Sequence, residues 1–308
     1  MIPSYAERQK FVQFALAEDI GRGDLTASLI DTNLETSANI LSREYAILCG
    51  CDWCEEVFRQ IDPRVQLEWF AHDGDEIQSG EVFCCLRGSA RALLTGERTA
   101  LNFLQTLSGT ATVSRSYALA VAGTKTKILD TRKTIPGLRS AQKYAVQIGG
   151  CSNHRHGLDG GVLIKENHLL ASDSIQNVVA KARCLVPPGM KIEVEVETLQ
   201  QVQQALSAGA DLLLLDNFDL PKIVEAVRLC QGRALLEVSG NVTLDAIRAI
   251  ADTGVDFIST GAITKNIRAI DLSMRFLPRN STGKSSDPAD LSHGGAGDRS
   301  HRSQRNRI

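Results

Sequence analysis

The sequence predicts an α/β protein whose larger part is a parallel sheet wrapped in helices, and three observations carry that prediction. After Gly109, apolar strands at Lys127–Asp130, Gly161–Ile164, Lys191–Val196, Asp211–Leu215, Ala234–Val238 and Asp256–Ser259 alternate with amphipathic stretches such as Leu199–Ala208 and Leu220–Cys230. The later units recur every 20 to 23 residues. The strands are apolar throughout rather than alternating, as in a sheet covered on both faces. A (β/α) barrel, closed or incomplete, is the favoured arrangement, with a doubly wound open sheet as runner-up. No Gly-x-Gly-x-x-Gly follows a strand, which counts against a dinucleotide fold.

The N-terminal part has a different texture. Ser4-x-x-Glu7 has the form of a capping box opening a helix to about Ala17, which the Gly21-Arg-Gly23 turn ends. Residues 36–48 and 64–86 hold short strands of a small antiparallel sheet, with a tight turn at Asp73–Gly80. From Leu93 to Leu107 the pattern is helical, with Ala100, Leu101, Leu104 and Leu107 on an apolar stripe and Arg98, Asn102 and Gln105 on another face. Arg98 stands among apolar neighbours, which suits an interface. From Asn280 to Ile308 large apolar residues almost vanish, the composition of a disordered tail.

Composition excludes several classes. With 43% hydrophobic and 23% charged residues and a net charge of −2, the chain is ordinary globular material. No window approaches about 18 uncharged apolar residues, so a soluble, cytoplasmic protein is expected. The eight cysteines show no recurrent spacing, and Cys49-x-Cys51-x-x-Cys54 lacks a fourth ligand nearby, so buried reduced thiols are expected rather than a metal site.

Charge is concentrated in one stretch. Lys125, Lys127, Arg132, Lys133, Arg139, Lys143, Arg155 and Lys165 face only Asp130 and Asp159 across that interval. The cations stand at the ends of short apolar runs beside Gly and Pro turns, which suits a pocket for a small polyanion better than a face for nucleic acid. In a parallel barrel the carboxyl ends of the strands converge on one mouth. Those ends are Arg132-Lys133, Lys165, Glu195, Asp216, Ser239-Gly240-Asn241 and Thr260-Gly261, with His154-Arg155 added from a loop.

Each group has a chemical reason to be there. The two Gly-containing turns follow strands in the last two units, the position where barrels bind phosphate through backbone amides and a helix N-terminus, although such turns also occur for steric reasons alone. Period-two alternation puts Glu193, Glu195 and Glu197 on the inward side, where three carboxylates are costly unless they meet cations or a metal. Glu195 and Asp216 are suited to hold Mg²⁺, directly or through water, or to stabilise a developing carbocation. The plainer alternative is that they only pair with Arg132 or Lys165. His154 orients an anion rather than moving a proton, His156 and His168 support it, and Cys151 lacks the partners of a thiol nucleophile.

Together these residues resemble the nicotinate-nucleotide pyrophosphorylase (carboxylating), or quinolinate phosphoribosyltransferase, family over about residues 5–277. The shared blocks are Ala17-Glu-Asp-Ile-Gly-Arg-Gly-Asp-Leu-Thr26, Gly96-Glu-Arg-Thr-Ala-Leu-Asn-Phe-Leu-Gln105, Thr131-Arg-Lys-Thr134, Asn153-His-Arg155, Leu163-Ile-Lys-Glu-Asn-His168, Glu193-Val-Glu195 and Leu214-Leu-Asp-Asn217. The resemblance implies an N-terminal α/β sandwich domain over 1–110, rejoined by 270–278, an open α/β barrel catalytic domain over 111–269, and a tail at 279–308 outside the family pattern. It implies a head-to-tail homodimer. It also implies transfer of the ribosyl group of phosphoribosyl pyrophosphate to quinolinate, with loss of pyrophosphate and CO₂, giving nicotinate mononucleotide for NAD synthesis.

By the same resemblance, Arg98, Arg132 and Arg155 bind quinolinate, Arg98 from the partner subunit. Lys133, His154 and Lys165 complete the basic pocket. Glu195 and Asp216 lie near the ribose and Mg²⁺, and Ser239, Gly240, Asn241, Thr260 and Gly261 hold phosphate. Lys133 is further expected to stabilise the carbanion left at C2 by decarboxylation. Two rival enzymes and one non-enzyme remain at this stage: a Schiff-base lyase using Lys165, a relative acting on nicotinate, and a phosphosugar-binding regulator. Three arginines in one pocket argue against the first two, and intact Glu195 and Asp216 against the third.

Overall fold

The computed structural model describes residues 3–172 and 174–278; the tail expected to be disordered lies outside the described residues. Helix α1 (Tyr5–Ile20) starts where the Ser4 hydroxyl accepts a hydrogen bond from the Glu7 amide at 3.2 Å, the N-cap half of the expected box. It runs one turn past Ala17. The expected strands of 36–48 and 64–86 resolve into β1 (Glu35–Ser42), β2 (Ala46–Ile47), β3 (Gln66–Trp69), β4 (Glu76–Ile77) and β5 (Val82–Ser89). With the late strand β12 (Leu272–Phe276) they build an antiparallel sheet of order β12-β1-β5-β3, so the chain returns to its first sheet after the barrel.

Between β2 and β3 lies α2 (Cys51–Ile61), a helix absent from the expectation although Cys54, Val57, Phe58 and Ile61 form its apolar stripe. Its start is fixed by the turn near Asp73, whose carboxylate accepts from the Gly50 and Cys51 amides at 2.9 and 3.0 Å. Trp53, Cys54, Val57 and Phe58 then pack into the first core with Leu93, Ala100, Leu101 and Leu104. All eight cysteines are free thiols, and only Cys184 is exposed.

Helix α3 (Ala90–Ala120) is 31 residues long, twice the expected span, and the domain boundary expected at 110/111 falls inside it. Gly109, read as a break, is a packing residue. A Cβ there would stand 2.3 Å from the Arg268 carbonyl oxygen. The close crossing of two chain segments therefore requires glycine, and the helix tolerates its propensity cost of about 1 kcal/mol.

The remaining strands β6 (Lys127–Leu129), β7 (Val162–Ile164), β8 (Ile192–Val196), β9 (Leu212–Asp216), β10 (Leu235–Ser239) and β11 (Phe257–Ser259) form one parallel sheet of order β6-β11-β10-β9-β8-β7. That order advances one strand at a time and curls until β11 meets β6. A doubly wound sheet would reverse direction partway, so the barrel reading holds. The barrel stays open between β6 and β7, where Leu129 and Ser152 make a single bridge. Val194, Val196, Leu213, Leu215 and Val238 join the second core. Glu193 and Glu195 are buried as expected, but Glu197 lies past the end of β8 and is exposed, so two interior carboxylates come from this strand rather than three. No helix among the described residues is long and apolar enough to cross a membrane.

Candidate active site

At the carboxyl ends of the barrel strands opens a cleft of about 450 Å³, walled by Arg132, Lys133, Arg155, Lys165, Glu195 and Asp216, with Ser239, Gly240 and Asn241 at its rim. Most of the residues chosen from strand ends thus meet in one place. Thr260 and Gly261 stand behind them. Thr260 is buried, with its hydroxyl accepting from the Ala262 amide at 3.2 Å. Gly261 backs Lys133, since a Cβ would come 3.0 Å from that lysine's Cδ. Arg98 does not line this cleft; it is exposed on α3 in the other half of the molecule, one turn from exposed Asn102.

The loop bearing His154 and Arg155 hangs on Asp130, at the end of β6. This buried carboxylate pairs with Lys143 from α4 (Arg139–Ile148) and accepts from the Asn153 side chain at 2.7 Å and the His154 amide at 2.8 Å. Lys143 also donates to the His154 carbonyl at 2.9 Å. Two of the cations counted in the sequence are therefore framework, because Arg139 likewise bonds Thr134 and the His156 carbonyl. Arg155 donates to the Gly161 carbonyl at 2.8 Å. Burial lowers its pKa, and the nearby Arg132 charge lowers it further, against the pull of Glu193. Two guanidinium groups held close together repel each other, which an anion between them relieves.

The acids are arranged less simply than their spacing implied. Lys165 Nζ lies 3.6 Å from Glu195 Oε2, one of the pairings foreseen. Glu195 also shares a hydrogen bond with Glu166. Burial first, then that bond and the Asp216 charge, push the Glu195 carboxyl up to about 7, while the exposed Glu166 partner is held below its usual range. Asp216 accepts from the Asn217 side chain at 2.8 Å.

The Gly turns differ from expectation in one respect. After Ser239 the next helix (Ile247–Asp252) begins eight residues on, and the helix following Gly261 (Ala262–Lys265) is a single turn. Neither turn leads directly into a long helix, so any phosphate at these two turns is held by the turns themselves. Asn217 and Asn241 have positive φ of 55° and 46°, and Gly240 has φ 88°. A Cβ on Gly240 would lie 2.2 Å from Asn217 Oδ1, so this turn admits only glycine.

Beneath the cleft is a feature the sequence reading missed. Glu237, in the middle of β10, is fully buried, and neither of its carboxyl oxygens has a hydrogen-bond partner; one oxygen of Glu193 is likewise unpartnered. His154 Nε2 lies 3.2 Å from Glu193 Oε2 and 3.6 Å from Glu237 Oε2. Its Nδ1 accepts from the Arg155 amide at 2.7 Å. That bond places the proton of the neutral ring on Nε2. These three side chains meet closely enough to suggest a metal, but a metal on Nε2 would require a proton on Nδ1, against the Arg155 N–H. The available signal was a lone acid inside the apolar run Leu235–Ser239, two residues before the rim.

An open barrel presenting paired acids among clustered cations at its strand ends defines an enzyme for small polyanionic substrates. The chain belongs to the quinolinate phosphoribosyltransferase family. Residues 24–108 match the family's N-terminal domain and 110–275 its C-terminal domain. It is 40% identical over 271 residues to a probable nicotinate-nucleotide pyrophosphorylase (carboxylating) of Bacillus subtilis, covering 88% of this chain and 94% of that protein. Among solved structures, the nicotinate-nucleotide pyrophosphorylase of Francisella tularensis is 47% identical with a TM-score of 0.86, over 89% of this chain and 97% of that one. The Ehrlichia chaffeensis enzyme is 38% identical with a TM-score of 0.85, over 90% and 100%.

Proposed function

We propose that this chain is the decarboxylating quinolinate phosphoribosyltransferase of NAD synthesis, joining quinolinate to phosphoribosyl pyrophosphate and yielding nicotinate mononucleotide, pyrophosphate and CO₂. The observation that carries this reading is the convergence of Arg132, Lys133, Arg155 and Lys165 with Glu195 and Asp216 on one cleft. Quinolinate brings two adjacent carboxylates, and Arg132 and Arg155 suit them as planar, bidentate donors. Lys165 adds a mobile charge. Lys133, resting on Gly261, is the ammonium for the carbanion left at C2 when CO₂ departs.

Glycosyl transfer builds positive charge at ribose C1, and Glu195 and Asp216 are placed to oppose it, with fixed charge aimed at developing charge as the main catalytic term. Glu195 reaches its anionic form when Lys165 or an arriving cation outweighs Glu166. The same two carboxylates fit Mg²⁺, which takes oxygen ligands and typically one or two protein carboxylates with substrate phosphates and water. Bound there, Mg²⁺ would neutralise charge on the departing pyrophosphate. Free thiols throughout accord with a reducing, cytoplasmic setting.

The homodimer is part of this proposal. Asn102, one helical turn from Arg98, lines a groove of about 250 Å³ with Phe11, Phe14, Phe103 and Ile135, and Phe14 is 67% exposed. A second copy covering that face would carry Arg98 into its partner's cleft.

Pyrophosphate release from quinolinate plus phosphoribosyl pyrophosphate tests the activity; release with nicotinate but not quinolinate would overturn it. Mixing inactive Arg98→Ala with inactive Lys165→Ala tests the dimer. Complementation, with up to half the sites restored in each heterodimer, is expected from a two-fold assembly. Proven subunit exchange without activity would return Arg98 to its own chain.

A further inference from the structure

The unpartnered acids beneath the cleft are the strongest unexplained feature of the molecule. Glu237 of β10 is 0% exposed, with both carboxyl oxygens unpartnered, yet it stands at the floor of the cleft that receives the substrate. The groups that face it are Glu193 from β8, His154 from the loop before β7 and the Ser259 hydroxyl from β11; β9 sets Leu214 opposite it in the sheet. No lysine or arginine is among them. A buried carboxylate without donors costs several kcal/mol, so such a group is held neutral unless a partner arrives.

We propose that Glu237 is the proton-holding floor of the quinolinate subsite: the subsite admits the dianion with Glu237 in its neutral form, so substrate binding takes up a proton there. The inference rests on the quinolinate reading. Its chemistry is complementarity. At the carboxylates and ring nitrogen by which it is recognised, quinolinate offers only acceptors. Two ionised acids beneath it would oppose acceptors to acceptors and add like charge, whereas one neutral acid removes a charge. His154 is the rival seat for that proton, since Glu193 and Glu237 raise its pKa against the effect of burial, but its Nε2 already faces Glu193 and its Nδ1 already accepts from the Arg155 amide. Protonating the ring fully would set two N–H groups head to head across 2.7 Å.

The direction of titration agrees. Burial first, then the Glu193 charge, push the Glu237 carboxyl up to about 7, against the pull of His154 and Ser259. Near neutral pH the empty site is thus partly ionised, and a bound dianion drives the proton on. Glu237 is a positioning residue in this scheme, acting on charge and fit rather than on the reacting atoms.

Calorimetric titration of the full-length protein with quinolinate alone, at pH 7 in phosphate and in Tris, measures the proton directly. Wild type is expected to take up a fraction of a proton per site at pH 7, rising towards one as the pH is raised. Its affinity should weaken up to tenfold per pH unit above pH 7. Glu237→Gln, an isostere of the neutral acid, should bind with no proton uptake and with affinity flat from pH 7 to 8.5. Glu193→Gln, which removes the repulsion that helps keep the proton on, leaves Glu237 more ionised in the empty site and should therefore raise the uptake towards one proton per site.

Binding by wild type with no buffer dependence overturns the proposal whatever the variants do. Uptake that survives Glu237→Gln and vanishes in Glu195→Gln also overturns it, assigning the proton to the acid at the strand end. A protein that releases no pyrophosphate from quinolinate and phosphoribosyl pyrophosphate would instead strike the functional reading itself. Active enzyme with pH-independent quinolinate affinity strikes Glu237 alone.

Discussion

Asp130 and Glu237 are both fully buried acids inside one barrel, and they are held in opposite ways. Asp130 meets an ammonium, a side-chain amide and a backbone amide, and through them fixes the loop that carries Arg155. Neither carboxyl oxygen of Glu237 is hydrogen-bonded, and of donors only the Ser259 hydroxyl and the His154 ring are turned towards it. The first arrangement satisfies a buried charge and so makes framework; the second leaves it unsatisfied at the floor of the binding cleft. The cations divide likewise. Lys143 is consumed by Asp130, whereas Arg132 and Lys133 stand exposed in the cleft with capacity for a ligand.

The sharpest way to break this contrast is Lys143→Met. It strands Asp130 without its ammonium, and we expect a loss of about 3–5 kcal/mol in urea-unfolding free energy. A loss under 1 kcal/mol would show Asp130 to be no better held than Glu237. Next come Glu195→Gln and Asp216→Asn, expected to lower kcat about 10²- to 10³-fold with unchanged melting temperature. If melting falls while kcat per folded enzyme persists, these acids belong with Asp130 as structure.

Glu237→Gln should have the opposite sign in stability. A carboxyl whose pKa rises from 4.5 unfolded to about 7 folded contributes fully below the unfolded value, and that contribution is lost as pH climbs through the folded one. Relative to wild type, the variant should therefore gain stability between pH 5 and 8, by at most about 3 kcal/mol. Parallel stability curves across that range would remove the contrast with Asp130. Smaller still, Arg132→Ala and Arg155→Ala should each cost about 1.5–3 kcal/mol in kcat/KM for quinolinate, with poor rescue by lysine. Unchanged kinetics would move either arginine from the free set to the framework set.

Much of this was legible in the chain. Six apolar strands, the later ones at regular spacing, gave the parallel sheet, and reading off their carboxyl ends collected Arg132, Lys165, Glu195 and Asp216 into one cleft. Helix α2 was legible and passed over, since Cys54, Val57, Phe58 and Ile61 stand at i, i+3, i+4 and i+7; only its cap, from Asp73, is distant in sequence. Two things were hidden for physical reasons. Gly109 reads as a breaker until the Arg268 carbonyl is seen against it. The roles of Lys143 and Glu237 depend on which donors reach which acids, and sequence spacing carries no such information.

The long helix α3 has a consequence for how the molecule can be taken apart. At 1.5 Å per residue its 31 residues span about 46 Å, passing from the first core, through Leu101 and Leu104, to Tyr117 in the second. The stretches matching the family's two domains meet at residues 108 and 110, inside this single rod. A fragment cut at that seam would carry half a helix with one apolar side bare, and β12 would be lost from the sheet it completes. The two halves are modules in evolution's bookkeeping and yet mechanically one beam, so they should melt together and resist being separated, recombined or swapped at the seam their sequences suggest.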